Sequence, residues 1–94
     1  MVYPYRIGEL VISRAGRDRG KYYFIVGREK ENFVKIANGD TRKIEGPKRK
    51  NVKHLRSTGV VYEELAIWLE NKKKIRNEDL KRFIKNYEKN EEAK

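Results

Sequence analysis

The sequence predicts a small antiparallel β-barrel followed by two α-helices, a fold that is mostly β with helical structure at its C-terminal end. Three observations support this class: apolar residues alternate in the first half, tight-turn residues separate the alternating stretches, and the apolar period lengthens to about 3.6 after residue 59. A chain of 94 residues is long enough for one small core. We expect a β domain over residues 1–58 and a helical pair with a frayed end over residues 59–94.

Short stretches with β-type composition define five predicted strands. "GELVISRAG" and "KYYFIVGRE" supply the first two. Asn38-Gly39 is a strong hairpin signal, so we expect a third strand before it and a fourth that ends at Ile44. "NVKHL" then supplies a short fifth strand. Five short strands with tight connections favour an SH3-like barrel over an OB-type barrel, which usually needs longer strands and an extra helix.

Apolar residues at helical spacing predict two amphipathic helices near the C-terminus. The two stripes are Val61, Leu65, Trp68 and Leu69, and Leu80, Phe83, Ile84 and Tyr87. We expect Trp68 to pack in the core. Asn77 suits the N-cap of the second helix, and Glu78 and Arg82 are spaced for an i,i+4 ion pair. The segment "NKKKIR" is the predicted connection.

The composition excludes several classes of protein. Without cysteine the chain has no disulfide, no thiolate nucleophile and no cysteine zinc site, and its single histidine cannot form a histidine cluster. Its apolar runs are too short to span a membrane, and its first residues lack the apolar core of a signal peptide. We expect a soluble cytoplasmic protein with no cofactor and no metal.

Positive charge is concentrated in the first 58 residues. The chain has a formal charge of +10, and residues 1–58 hold 15 basic and 6 acidic residues, against 9 and 8 in residues 59–94. Within residues 42–56 there are seven basic residues and one acid. Such density is typical of a nucleic-acid binder, although a solvated loop is the alternative interpretation.

Aromatic residues lie among the basic ones, and Tyr5 and Tyr23 are candidates for base stacking unless they are buried in the core.

Two stretches resemble a known family. "GELVISRAGRDRGKYYFIV" resembles a KOW motif, with a glycine-opened strand, a charged turn and a glycine before the returning strand. "NGDTRKIEGPKRKNVKHL" resembles bacterial KOW-domain RNA-binding proteins related to the eukaryotic-type large-subunit ribosomal protein fourteen family. The resemblance covers residues 6–56 and implies an SH3-like barrel that binds ribosomal or other structured RNA through its loops, without catalysis.

We therefore expect an RNA-binding protein of the translation apparatus that contacts rRNA on or near the large ribosomal subunit, with large-subunit proteins as possible neighbours. The predicted RNA contacts are Arg14, Arg17, Arg19, Lys21, Arg42, Lys43, Lys48, Arg49, Lys50, Lys53 and His54. Three alternatives stay open: a transcription-associated or duplex-DNA-binding module, a protein-interaction adaptor, and a small ribonuclease that uses His54. No serine-histidine-acid order accompanies His54, so we expect no catalytic residue.

Overall fold

The structure, a computed structural model, describes residues 5–71 and 75–92 as five strands followed by two helices. In chain order the elements are β1 (Glu9–Ser13), β2 (Tyr22–Arg28), β3 (Phe33–Ala37), β4 (Lys48–Asn51), β5 (Leu55–Val61), α1 (Glu63–Glu70) and α2 (Asn77–Glu92). A short 3-10 turn, Val52–His54, joins β4 to β5. The class predicted from the sequence, mostly β with C-terminal helices, is confirmed.

One antiparallel sheet contains the five strands in the order β4-β3-β2-β1-β5, so β4 and β5 form its two edges. Asn51 ends β4 and Leu55 begins β5, and four residues of extended chain span at most about 14 Å. The opposite edges of a flat five-stranded sheet lie about 19 Å apart. The sheet must therefore curl to bring these ends together. No ladder joins β4 to β5 among the described strands, so the predicted closed barrel is instead an open, curled sheet.

The strand predicted to end at Ile44 is wrong, because residues 38–46 form bends and turns. The side-chain oxygen of Asn38 accepts hydrogen bonds from the backbone amides of Asp40 and Arg42, both at 2.9 Å. Asparagine commonly bonds the backbone that follows it in this way, and the bonded amides are then lost to strand pairing. Asn38-Gly39 therefore lies in a turn, but this turn is followed by an irregular connection and not directly by a strand.

The basic run itself forms β4, although the sequence predicted it as a surface connection. Its partner is β3, with Ile36 opposite Lys48. Backbone pairing with β3 makes this segment a strand, since "KRKN" has no apolar alternation that would predict one. Lysine is common on edge strands because its charge opposes pairing with another molecule. The last strand begins at Leu55, and Val52, predicted to be part of it, lies in the 3-10 turn.

Both faces of the sheet are buried, each by its own apolar cluster. The inner core, as we call it, contains buried Val11, Tyr23, Ile25, Val34, Ile36 and Leu55. The outer core joins Leu10, Phe24 and Ala37 of the sheet to Leu65, Ile75 and Leu80 of the helical segment. Successive strand residues point to opposite faces, which is why Tyr23 and Phe24 belong to different cores.

The two predicted helices are confirmed, and they pack on the sheet through the outer core. Val61, predicted to begin the apolar stripe of the first helix, is instead the last residue of β5. Trp68 lies against that core as predicted. α2 continues to Glu92, into the tail predicted to be frayed, and residues 72–74 of the predicted connection lie outside the described residues. The predicted boundary after residue 58 falls inside β5. Neither helix in the described ranges is long and apolar enough to cross a membrane.

Asn77 connects α2 to the segment between β3 and β4. Its side-chain oxygen accepts a hydrogen bond from the Ile44 amide at 2.8 Å, and its side-chain nitrogen donates to the Glu45 carboxylate at 3.0 Å. The N-cap role predicted for Asn77 is therefore wrong. The helix begins at Asn77 itself, and the Asp79 carboxylate accepts a hydrogen bond at 3.1 Å from the amide of Arg76, the residue before the helix, as the third helical residue does in a capping box.

The ion pairs at the start of α2 also differ from the prediction. Arg82 pairs with Asp79 at 3.1 Å, three residues earlier, and Glu78 pairs with Arg76 at 3.8 Å. The predicted pair between Glu78 and Arg82 is replaced by these two contacts. Both i,i+3 and i,i+4 neighbours share a helix face, so sequence spacing alone does not choose between them.

We predict that Gly39→Ala destabilises the protein more than Gly20→Ala does. Both glycines have left-handed φ angles, +80° and +89°, which cost alanine about 1–2 kcal/mol. A Cβ at Gly20 would meet open space, whereas a Cβ at Gly39 would overlap the Asn77 carbonyl oxygen and lie 3.1 Å from the Leu80 Cβ. Urea unfolding followed by circular dichroism measures the difference. Equal losses in the two variants would contradict a close approach between this turn and α2.

Candidate nucleic-acid interface

A buried carboxylate organises the loop between β1 and β2. Asp18 Oδ2 lies 3.3 Å from Lys48 Nζ, and Asp18 Oδ1 lies 3.3 Å from Lys50 Nζ. The Ser13 hydroxyl donates a further hydrogen bond to Oδ1 at 3.0 Å. The side chains of Asp18 and Lys50 are only 9% and 11% exposed, so salt screens their attraction little. We call Ser13, Asp18, Lys48 and Lys50 the Asp18 cluster. Its contacts connect the edge strand β4 to the loop between β1 and β2.

The electrostatics of the cluster keep Asp18 ionised. Burial acts to raise the pKa of Asp18, but hydrogen bonds from Ser13, Lys50 and Lys48 outweigh burial and lower that pKa from 3.8 to about 2. The group is therefore a carboxylate at physiological pH. Its negative charge offsets part of the charge of the two β4 lysines.

Glycines shape the loop that presents Asp18. Gly16 and Gly20 have φ angles of +80° and +89°, a region that side chains other than hydrogen disfavour. Backbone hydrogen bonds of 2.8 and 3.0 Å between the end of β1 and the residues before β2 close the base of the loop. Asp18 is buried in this arrangement, while its neighbours Arg17 and Arg19 are exposed.

Four cationic residues converge on a pocket beside the Asp18 cluster. The pocket has a volume of about 240 Å³ and is also lined by Asp18, Tyr23 and Thr41. Its cations come from the β1–β2 loop, the β3–β4 connection and β4. We call it the cationic pocket, and its four cations are Arg17, Lys21, Arg42 and Lys48. Three separate segments of the chain thus bring positive charge to one concave place.

The three basic residues inside β4 are all engaged in ion pairs. Lys48 and Lys50 contact Asp18, and Arg49 lies on the opposite face of the strand. Arg49 Nε lies 3.4 Å from Glu29 Oε2, and its guanidinium carbon lies 3.8 Å from the centre of the Phe33 ring. The three cations of β4 therefore share two carboxylates, which offset part of their positive charge.

The loop cations are arranged differently. Arg17, Lys21 and Arg42 are exposed, and none of them forms an ion pair within residues 5–71 and 75–92. Lys48 is intermediate, since its side chain is 33% exposed although it pairs with Asp18. The positive charge available to a ligand in the pocket therefore comes mainly from the loops and only partly from β4.

The remaining predicted RNA contacts do not line the cationic pocket. These residues are Arg14, Arg19, Lys43, Arg49, Lys50, Lys53 and His54. Arg14 and His54 are neighbours, because the Arg14 amide donates a hydrogen bond to the His54 carbonyl at 2.8 Å. Arg14, Arg19, Lys43 and Lys53 are exposed and His54 is half-buried, so RNA contacts by these residues stay predictions.

The two aromatic residues predicted to stack on bases both contribute to the inner core, Tyr23 as a buried member and Tyr5 packed against it. Tyr23 is 2% exposed, so no base reaches its ring, and the stacking role predicted for it is wrong. Burial raises the pKa of Tyr23, and its hydroxyl interacts with Asp18 and Thr41. The Tyr5 hydroxyl donates to the Leu55 carbonyl at 2.7 Å, and its half-buried ring packs against the inner core. The stacking role of Tyr5 stays a prediction.

Sequence reasoning missed Asp18 and Thr41 as parts of this region. The available signal for Asp18 is its position in "GRDRG", where an acid stands between two arginines and two glycines. Thr41 gives no comparable signal, since its place in the pocket depends on turns that the hairpin pattern does not predict.

No protein-family model matches the chain, so the family resemblance of its motifs stays a prediction. In the described part of the chain, no group of three or more His, Asp or Glu side chains is placed to hold a metal ion. What the pocket offers chemically is a set of hydrogen-bond donors with positive charge. Such a set suits a phosphate or another anion.

We predict that Asp18→Asn destabilises the protein by roughly 3–5 kcal/mol at pH 7, because it leaves the buried Lys50 ammonium without a counter-ion. Asp40→Asn is the matched control, since Asp40 is exposed. The pKa of Asp18 is lower in the folded state, so its stabilising effect is complete above about pH 4 and is lost as the pH falls toward 2.

Urea unfolding of both variants and the parent protein, repeated between pH 7 and pH 2, measures this effect. The difference between the parent and Asp18→Asn should shrink over the lowest two pH units, while Asp40→Asn stays close to the parent throughout. A difference that is constant down to pH 2 would show that the carboxylate is not the stabilising group.

Proposed function

We propose that this protein binds RNA, with the cationic pocket holding the ribose-phosphate backbone. The observation that carries the proposal is the convergence of Arg17, Lys21, Arg42 and Lys48, from three chain segments, on one concave surface. Charges of one sign that are held close together repel each other, and a polyanion relieves that repulsion. Each phosphate that they neutralise also releases counterions, which favours binding.

The shape of the region favours folded RNA over regular duplex DNA. The pocket lies between two loops and is concave, so it fits a backbone that protrudes or turns. Folded RNA presents bulges and loops of that kind, whereas regular duplex DNA presents a uniform outer surface. Arg17 and Arg42 add forked donors that can bind one phosphate through two hydrogen bonds.

We assign the sheet to the SH3-like class, with the KOW motif spanning β1, its loop and β2. The strand order and the 3-10 turn between the last two strands support this assignment. The loop of the KOW-like motif contributes Arg17 and Lys21 to the pocket, which supports RNA binding by the same motif. By the family resemblance, the RNA is rRNA and the protein acts in translation, in the cytoplasm, on or near the large ribosomal subunit.

We predict that the double variant Arg17→Glu/Arg42→Glu binds rRNA fragments at least about tenfold more weakly than the parent, because it removes two phosphate contacts. The log-log dependence of affinity on salt should become shallower by about 1.5, since each contact contributes roughly 0.7–0.9. Fluorescence anisotropy over a salt series measures both quantities.

The control is Lys35→Glu/Lys89→Glu, which makes the same change in net charge at exposed positions outside the pocket. An equal loss in both double variants would mean that net charge alone drives binding. Competition by duplex DNA at matched salt tests the alternative partner. A parent protein that prefers the duplex would contradict the assignment to RNA.

We predict that the parent protein co-sediments with large ribosomal subunits in gradients of cell extract, and that Arg17→Glu/Arg42→Glu moves to the light fractions. Immunoblotting of the gradient fractions measures the distribution, with Lys35→Glu/Lys89→Glu as the matched control. Absence of the parent protein from all ribosomal fractions would contradict the role in translation while leaving RNA binding intact.

A further inference from the structure

A second concavity lies between α2 and the two loops of the sheet. It has a volume of about 450 Å³, within the range of roughly 300–1,000 Å³ that is usual for small-ligand sites. Its wall on the helix side includes Lys81, Ile84 and Lys85, and its wall on the sheet side includes Tyr22. We call it the helix groove. Lys81 and Lys85 are not among the predicted RNA contacts, whereas Lys21, which also lines the groove, is one of them.

The helix groove adjoins the cationic pocket. Lys21 and Thr41 line both concavities. An RNA strand whose phosphate is held by Arg17 and Arg42 would therefore have the helix groove as its neighbour beyond Lys21.

The helix groove combines cationic and apolar groups. Lys81 and Lys85 are four residues apart and so project from the same face of α2. Both are exposed, and neither forms an ion pair with any residue that the structure describes. Tyr22 is half-buried, and its ring is fixed by an edge contact with Tyr87 at 5.4 Å between ring centres. Tyr22 also packs against the outer core, so only the part of its ring that lines the groove is open to a base. Aromatic rings stack on unpaired bases.

Two acids also line the helix groove, and they restrict what can bind there. Asp40 lies in the β3–β4 connection and Glu88 on α2. Carboxylates repel phosphate, so a phosphate is expected at the lysines and not deep in the groove. Carboxylates accept hydrogen bonds from the amino groups of bases, as they do from the cytosine amine in DNA recognition. The mixed lining therefore suits a whole nucleotide better than it suits an isolated anion.

We propose that the helix groove binds one unpaired nucleotide of the RNA strand held by the cationic pocket, with its base on Tyr22 and its phosphate at Lys81 and Lys85. This inference rests on the proposed RNA-binding function. It gives α2 a direct role in recognition, so that the helical segment does more than cover the sheet. A paired base cannot enter the groove, because its Watson–Crick edge is occupied and its neighbours are stacked.

The test compares two RNA probes with the same number of phosphates, a single strand and a blunt-ended duplex without unpaired nucleotides. Lys81→Glu/Lys85→Glu should weaken binding of the single strand by about tenfold and change binding of the duplex little. Lys35→Glu/Lys89→Glu serves again as the control, because Lys89 lies on α2 but outside the groove. Urea unfolding checks that both double variants stay folded.

The outcomes separate this inference from the proposed function. If Lys81→Glu/Lys85→Glu weakens both probes equally, or neither, the groove is not a nucleotide site, whereas RNA binding itself stands if Arg17→Glu/Arg42→Glu still loses affinity. If the parent protein binds neither probe but binds rRNA fragments, the groove proposal alone fails, and if it binds none of these RNAs, both proposals fail. If only the single strand is affected, the groove proposal is supported.

A second measurement tests the base itself. An abasic position is moved along the single-stranded probe, one nucleotide at a time, and the affinity of the parent protein is measured for each probe. We expect about a tenfold loss at one position, which Lys81→Glu/Lys85→Glu should reduce. Cytosine at that position should bind more tightly than uracil, because it offers an amine to the carboxylates. A uniform response along the strand would contradict a defined base site.

Discussion

The ion pair network around Asp18 is the constraint on which the rest of the structure depends. Two apolar cores bury the faces of the sheet, but neither fixes β4, whose side chains are all charged or polar. β4 is held by its ladder to β3 and by the contacts of Lys48 and Lys50 with Asp18. A buried ion pair gives less net stability than its Coulomb energy implies, because desolvation opposes it. The main effect of this network is to fix the position of β4, because Asp18 can contact both ammonium groups only where the β1–β2 loop lies next to β4.

This network also separates charge that maintains the fold from charge that is available to a ligand. Residues 42–56 hold seven cations, and the fold pairs three of them, Lys48, Arg49 and Lys50, with Asp18 and Glu29. Arg42 of the same stretch lines the cationic pocket together with Arg17 of the β1–β2 loop, and neither forms an ion pair among the described residues. The density of charge along a chain therefore does not by itself show which cations are available to an anion. The ion pairs of the folded chain are the better guide.

The sequence predicted the elements that have a strong period of their own. β1, β2, β3 and both helices follow from apolar spacing, and the arginines of the β1–β2 loop follow from turn chemistry. β4 could not be predicted, because backbone pairing with β3 makes a strand of residues without β-type composition. The burial of Tyr23 could not be predicted, because both faces of the sheet are buried and the sequence does not show which of the adjacent residues Tyr22 and Tyr23 is more enclosed. The contacts of Asn77 with Ile44 and Glu45 span more than thirty residues of chain, beyond the reach of any local pattern.

The contacts of Asn77 limit how far the length of the β3–β4 connection can vary. One side chain joins the first turn of α2 to the backbone just after Arg42, so the separation between Arg42 and the helix is set by the few residues that lead to Ile44. Adding or removing a residue there would break the bridge or shift the arginine along the sheet. Surface connections usually tolerate insertions. This one is expected to keep a constant length among related chains.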